Sequence, residues 1–480
     1  MTTELNVPGV DFRAKLPNAD GSGGRQWLYP RAAAGRFTRG RTWLAWALLA
    51  ALFAGPFVWI DGHPLFLFDV LERRFIVFGI PFWPQDFHLV AIGLVAFIVF
   101  VALFTVVFGR VWCGWACPQT IFMEMVFRPI ETLIEGDHKA KKRLDALPWT
   151  AEKIVKKSAK HLIFFGLAFA ISNTFLAYLI GRDRWLTLVT DDPAQHPGGL
   201  AAMLTFTAVF YLVFAHVREI VCTTICPYGR LQGVLLDKNS LVVAYDYLRG
   251  EPRGKKKREG QTPEGSRPSV GACVDCTLCV QVCPTGIDIR NGTQLECINC
   301  TACIDACDAV MDKIGRPRGL IRLASQTGIE QGQPFRLTGR IWAYSAVLLA
   351  LVAGLAFLLL SRPDVEATIL RAPGQLFQRE GRYVSNLYTV ELMNKTYRPL
   401  TVQLRLIQPD ARRGLARRGD AGLRFVQPLT TIPAGELTKG TFFIRLPEKV
   451  IRQNSTPLTI EILSGGQVVD RVTTTFLGPG

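Results

Sequence analysis

Five long apolar blocks, two dense cysteine runs and a tail of short alternating segments predict a polytopic α-helical membrane protein with a cysteine-rich insert and a C-terminal β-sandwich. The chain is 49% hydrophobic over 480 residues, high for a soluble protein. Its apolar blocks run over 42–60, 87–109, 161–181, 199–217 and 341–361, each close to the ~20 residues that carry a helix across a bilayer. Pro56 interrupts the first block and Asn173 lies inside the third. Because 41 mostly polar residues precede the first block, it is expected to stay as an anchor and not to be cleaved as a signal peptide.

The net charge of +16 is unevenly distributed. Lys and Arg number 7 before the first block, 2 between the first and second, 10 between the second and third, 2 between the third and fourth, and 17 between the fourth and fifth. Such alternation places the basic loops in the cytoplasm. The final segment also carries 17, but long domains cross membranes largely regardless of charge. The excess is therefore read as membrane topology, and no nucleic-acid role is expected.

The domains follow in order. Residues 1–41 are a cytoplasmic N-terminal tail, 42–240 hold transmembrane helices one to four, and 241–270 form a basic linker with Lys255, Lys256, Lys257 and Arg258. The cysteine-rich insert is 271–314, a second linker 315–340, and the fifth transmembrane helix 341–361. Short Val-, Leu-, Thr- and Ile-rich runs at 383–392, 400–407, 442–446, 459–463 and 468–476, separated by turn signals such as Pro409 and Gly465-Gly466, make 362–480 a periplasmic β-sandwich. The basic stretches at 139–143 and 153–160 are expected to lie along the anionic inner leaflet.

All 12 cysteines fall into four groups. Two groups are Cys273-x2-Cys276-x2-Cys279-x3-Cys283-Pro284 and Cys297-x2-Cys300-x2-Cys303-x3-Cys307. This is the spacing of a bacterial two-cluster ferredoxin, in which the fourth cysteine of each run ligates the other cluster. One [4Fe-4S] cluster is then expected on Cys273, Cys276, Cys279 and Cys307, the other on Cys297, Cys300, Cys303 and Cys283. Zinc also takes all-cysteine sites, but it seldom needs a third cysteine two residues further on. Asp308 stands where the first run has Pro284, which predicts a change in loop stiffness or potential and no lost ligand.

The remaining four cysteines form two C-x3-C-P motifs, Cys113 with Cys117 and Cys222 with Cys226, after the second and fourth apolar blocks. Proline disfavours helical geometry in the residue before it, so each motif is expected to break its helix at the second cysteine. If the second and fourth spans are neighbours, four thiols meet near the membrane surface. Three readings stand: buried structural thiols, a third iron-sulfur cluster, or a copper-binding, redox-active site, since thiolates favour Cu(I). Met123 and Met125 are candidate soft ligands or packing residues. His88, His161 and His216 stand at helix ends and read as interfacial residues before haem ligands. No glycine-rich phosphate loop stands out.

VWCGWACPQT ending at Thr120, the IEGD stretch ending at Asp137, CTTICPYGR ending at Arg230, the two ferredoxin runs and the trailing sandwich together resemble the FixG/CcoG family of bacterial cytochrome oxidase accessory proteins. Polyferredoxins of periplasmic nitrate and nitrous oxide reduction share the C-x3-C-P pairs without the sandwich. The resemblance implies five transmembrane helices, a bacterial two-cluster ferredoxin insert and a C-terminal immunoglobulin-like β-sandwich in a bacterial inner membrane protein. It implies an enzyme, a cupric reductase that converts Cu(II) to Cu(I) for the copper centre of cbb3-type cytochrome c oxidase. Copper would be its substrate or bound ion at Cys113, Cys117, Cys222 and Cys226. Inner-membrane lipids, oxidase subunits, copper-delivery proteins and an unidentified electron donor would be its partners. Two other roles fit the same motifs: an electron-transfer subunit serving a separate periplasmic reductase, and a non-enzymatic assembly scaffold.

Overall fold

A stretch of 22 residues without Asp, Glu, Lys or Arg forms helix α2, Phe87–Phe108, with most side chains turned outward. This computed structural model describes residues 25–60, 63–70, 74–83, 86–254, 271–333, 335–372, 376–407, 422–426, 431–451 and 453–479, in two units, 1–354 and 355–480. Lys255 to Arg258 of the basic linker and the Pro409 turn lie outside the described residues. Elements are numbered in chain order.

Four helices among the described residues are long and apolar enough to cross a membrane: α2, α7 (Ala151–Ile180), α9 (Pro197–Leu212) with its π-helical continuation to Val217, and α15 (Gly339–Leu360). Outward-facing apolar side chains are what a lipid solvent selects. The span expected at 42–60 is displaced. Helix α1 covers Arg36–Ala54 and is not one of the four. It starts early because a tertiary partner caps it: Asp305 accepts the backbone N–H groups of Phe37 at 3.2 Å and Thr38 at 2.7 Å, satisfying donors that a helix start otherwise leaves open. Beyond Ala54 the chain turns into the hairpin strands β1 (Trp59–Ile60) and β2 (His63–Pro64), then the sheet β3 (Phe66–Asp69), β4 (Arg74–Val77) and β5 (Ile80–Phe82).

After α2 come α3 (Val111–Trp115), α4 (Pro118–Ile121), a π-helix over Phe122–Phe127, α5 (Arg128–Glu135) and α6 (His138–Ala146). Three of the basic residues expected along the inner leaflet are turned into the protein, while Lys139, Lys142 and Arg143 stay exposed. Lys141, Lys153 and Lys160 are buried, and 153–160 is the first part of α7. Lys141 and Lys160 are drawn inward by Glu131 and Glu135, while Lys153 Nζ donates to the carbonyls of Asp145 and Leu147. Short α8 (Arg182–Thr190) joins α7 to α9, and α9 packs along α7.

A third π-helical stretch, Val221–Ile225, leads to α10 (Pro227–Leu235). Strand β6 (Val242–Tyr245) then pairs antiparallel with β7 (Ile321–Ala324), so segments expected as linkers on either side of 271–314 close the ferredoxin body as a two-stranded sheet. Between them lie α11 (Tyr247–Gly250), α12 (Leu278–Gln281) and α13 (Ala302–Lys313), and α14 (Gln326–Gln331) follows.

The second unit is a two-sheet sandwich. One sheet orders β12 (Gly422–Phe425), β14 (Leu437–Pro447), β10 (Tyr383–Asn394) and β8 (Val365–Arg371), with β9 (Gln378–Glu380) also on β10. The other orders β13 (Thr431–Ile432), β11 (Leu400–Ile407), β15 (Ser455–Ser464) and β16 (Gln467–Leu477). Alternating inward residues Val390, Leu392, Phe442, Ile444, Leu458, Ile460 and Ile462 make its core. Tyr388 stays buried because its hydroxyl donates to the Thr475 carbonyl at 2.8 Å.

Candidate functional site: two cysteine cradles and a thiol tetrad

Each ferredoxin run folds into the same loop. Asp275 and Thr277 flank Cys276, and Asn299 and Thr301 flank Cys300, all four with positive φ between 51° and 64°. Non-glycine residues adopt this region only when their surroundings hold them there. The repeated turn aims three thiols of each run inward. Cys273, Cys276, Cys279 and Cys307 line one cavity, walled by Tyr245, Val310, Met311, Leu320 and Ile321. Cys283, Cys297, Cys300 and Cys303 line a second, walled by Val243, Ile287, Ile289 and Ile298, with Cys279 at its edge. The structure therefore brings each run's fourth cysteine to the other run's three.

These surroundings fit [4Fe-4S] clusters. The donors are thiols, four to each cavity, and the walls are mostly apolar, with Arg290 beside the first. Burial pushes the Cys279 thiol up to about 11 and the Cys307 and Cys297 thiols up to about 12, so without iron these groups are neutral. Of the eight, Cys276 alone is exposed. Asp308 accepts the Gly319 N–H at 3.0 Å, fixing the approach to β7, a role proline lacks.

Cys307→Ser removes the fourth thiol from the cavity of Cys273, Cys276 and Cys279. The expected result is loss or conversion of that one cluster, with about half of the iron retained, read by iron analysis and low-temperature EPR. Loss of the signal from the 297–303 loop instead would overturn the crossed assignment.

The two C-x3-C-P motifs are built alike. Cys117 (ψ 126°) and Cys226 (ψ 110°) are extended, and Pro118 and Pro227 open α4 and α10 at the position where a missing N–H costs nothing. Cys113 and Cys222 lie within electrostatic reach of each other, and each within reach of Cys117 and Cys226. Burial first, then Cys117 and its neighbours, pushes Cys222 up to about 12, while burial, opposed by Arg110, pushes Cys113 up to about 11. Pairing of spans two and four is not what joins them. Instead α10 folds onto α2, where buried Gln232 accepts from Cys113 Sγ at 2.9 Å and donates to Tyr228 Oη at 2.7 Å and Thr105 Oγ1 at 3.1 Å.

Met123 lines a small cavity with Cys222, Thr120, Pro284 and Ile298. Met125 points elsewhere, with its sulfur 3.8 Å from Thr42 Oγ1, and is not gathered with the thiols.

The tetrad lies directly on the second cradle. Cys113 and Cys222 share an apolar cluster with Val282, Ile298, Cys300 and Cys303. A Cβ placed on Gly114 would stand 2.5 Å from the Ile298 carbonyl oxygen and 2.7 Å from Cys300 Cα, so only glycine admits this approach. Arg41 of α1, itself buried, donates to the Cys300 carbonyl at 3.0 Å.

Below the tetrad is an ionic lattice that sequence reading missed. Glu131 accepts from Arg218 at 2.8 Å and stands 3.4 Å from Lys141 and 3.5 Å from Lys160; Glu135 lies 2.8 Å from Lys160. Arg218 holds a positive φ of 54° just before the second motif. Burial alone would raise the Glu131 carboxyl, but Arg218, Lys141 and Lys160 outweigh it and hold it at about 2.

Two apolar-walled cysteine cradles joined to an apolar helical bundle define a membrane-associated iron-sulfur protein of the electron-transfer class. Family models agree: a 4Fe-4S dicluster domain over 217–326, a 4Fe-4S binding domain over 89–139, and the immunoglobulin-like fold at the C-terminus of FixG over 355–479. The chain is 37% identical over 420 residues to the nitrogen fixation protein FixG of Rhizobium meliloti, 79% of each chain. It is 34% identical over 479 residues to protein RdxB of Cereibacter sphaeroides, 95% of this chain and 97% of RdxB. Protein RdxA of the same organism is 35% identical over 416 residues, 83% of each. The chain belongs to the FixG family.

Proposed function

We propose that this protein reduces Cu(II) to Cu(I) at the thiol tetrad for assembly of a cbb3-type oxidase copper centre. The observation that carries the reading is the Gly114 contact, which lays a thiol motif on the backbone of Cys300 with no side chain between. Bound [4Fe-4S] clusters supply one-electron reduction. Cys276 would hold its cluster at the exposed end, where a donor could reach it, and Cys300 would hold the other against the tetrad. Apolar residues around Cys113 and Cys222 exclude water, and a pair of thiolates suits Cu(I).

The ferredoxin body and N-terminus lie on the cytoplasmic side of the inner membrane in this reading, by the distribution of Lys and Arg. Helix α1 is the fifth crossing: its 19 residues span about 28 Å. Its first turn meets Asp305 of the ferredoxin body, and its Leu52 carbonyl accepts from Tyr178 near the far end of α7.

A second reading is favoured by the 4Fe-4S binding model over 89–139, which includes Cys113 and Cys117: the tetrad holds a third cluster. Iron analysis separates them, at about 8 atoms per chain against about 12. The functional test is anaerobic: the detergent-purified, reduced protein receives one equivalent of Cu(II), and cluster oxidation is followed with loss of the Cu(II) EPR signal. Matched loss that vanishes in a Cys113→Ser/Cys117→Ser variant of unchanged cluster spectrum is expected. Reduced clusters that ignore copper would overturn the proposal.

A further inference from the structure

Three rings near the end of α9 are unused by the reduction reading. His161 of α7, Tyr211 of α9 and His216 of the π-helical stretch form a triangle, with ring centroids 6.1 Å apart for the two histidines, 6.1 Å for His161 and Tyr211, and 6.0 Å for Tyr211 and His216. The Tyr211 hydroxyl lies 2.9 Å from His161 Nδ1. That contact occupies one ring nitrogen and leaves Nε2 for another partner, the arrangement that orients a metal-binding imidazole.

The histidine rings lie only 22° from parallel. The pair is stacked, and an imidazole ligates through an in-plane nitrogen, so ligation requires each ring to turn its Nε2 edge towards a shared ion. Two imidazoles at ~2 Å from one ion stand roughly 6 Å apart between centroids, and the 6.1 Å separation leaves room for that turn. Backbone geometry sets this register. The Val213–Val217 segment is π-helical, the Arg218 N–H returns to the Val213 carbonyl at 2.7 Å, and the Arg25 guanidinium donates to the carbonyls of His216 and Val217. A π-turn of this kind is frequent at functional sites. His216 is exposed and His161 half-buried, both at the end of their spans that adjoins the basic loops, so the pair is not sealed inside the protein. The neighbouring Lys160 charge is committed to Glu131 and Glu135.

Cu(II) prefers nitrogen and oxygen donors, whereas Cu(I) prefers sulfur. Resting on the copper-reduction reading, we infer that His161 and His216 receive Cu(II) before it passes to the tetrad, with Tyr211 as the positioning residue that fixes the His161 ring. The same stretch of chain then carries both sites, with His216 before the Arg218 turn and Cys222 after it.

The test uses the full-length protein in detergent, chelator-treated and with its clusters oxidised, so that added Cu(II) stays Cu(II). EPR with one equivalent of Cu(II) is expected to show hyperfine structure from two imidazole nitrogens. That pattern should vanish in the His161→Gln/His216→Gln variant and fall to one nitrogen in each single variant, with iron content unchanged as the check on folding. Tyr211→Phe should keep both nitrogens, shift the copper hyperfine splitting and weaken binding ~10-fold. A spectrum unchanged in the double variant overturns the site. So does a haem absorption band in the wild type that His161→Gln abolishes. Binding that depends on both histidines, in a protein that then fails to reduce copper, would leave this site standing and sink the reduction reading alone.

Discussion

Gly114→Ala is expected to slow copper reduction about 100-fold, because an ångström-scale misplacement of reacting groups costs about that much. The methyl group would meet the Ile298 oxygen at 2.5 Å and Cys300 Cα at 2.7 Å, both backbone atoms that cannot swing aside as a side chain would. Relief requires α3 and the 297–303 loop to part. Overpacking of this kind destabilises by about 1–3 kcal/mol, a modest loss beside the kinetic one. The measurement is stopped-flow mixing of reduced protein with Cu(II), alongside cluster absorption at equilibrium. A full rate with intact clusters would mean that electrons do not cross at Gly114. Loss of the clusters would mean that the contact serves cluster retention.

Glu131→Gln carries the largest expected effect on stability. The substitution keeps the shape but leaves Arg218, Lys141 and Lys160 without their shared carboxylate. Breaking one partner out of a buried ionic group costs about 3–5 kcal/mol. The sign of the pH dependence follows from the direction of the shift. The folded-state value, about 2, lies below the ordinary 4.5, so the carboxylate stabilises the fold fully above 4.5 and loses that contribution only as pH falls from there towards 2. The shift corresponds to about 3 kcal/mol. Thermal unfolding in detergent should therefore show a constant gap between wild type and variant from pH 7 to pH 5, narrowing only below about pH 4.5. A gap already closing at pH 6 would point to a titrating histidine in place of Glu131.

This lattice also explains why the basic loops deceive a reading by composition. Lys141 and Lys160 resemble leaflet-binding lysines in the sequence, yet Glu131 of α5 pairs with both and Glu135 with Lys160, and Arg218, far along the chain, closes the group. Charge counts along the chain cannot register a carboxylate that folding brings underneath.

What the chain dictates locally was legible without coordinates. Apolar length marks α2, α7, α9 and α15, period-two alternation marks β10, β11 and β16, and the C-x3-C-P prolines mark the breaks at Cys117 and Cys226. Each is a short-range property, a matter of bilayer thickness, strand pleat or the ring of a proline. Only the tertiary structure decided what lies against what. Asp305 starts α1 early, β6 and β7 close the ferredoxin body, Gln232 ties Cys113 to α2, and Met123 but not Met125 faces Cys222. Gly114 is the sharpest case. In the sequence it is an unremarkable spacer between two cysteines, and its meaning comes from a backbone arriving from nearly two hundred residues away, which no local pattern encodes.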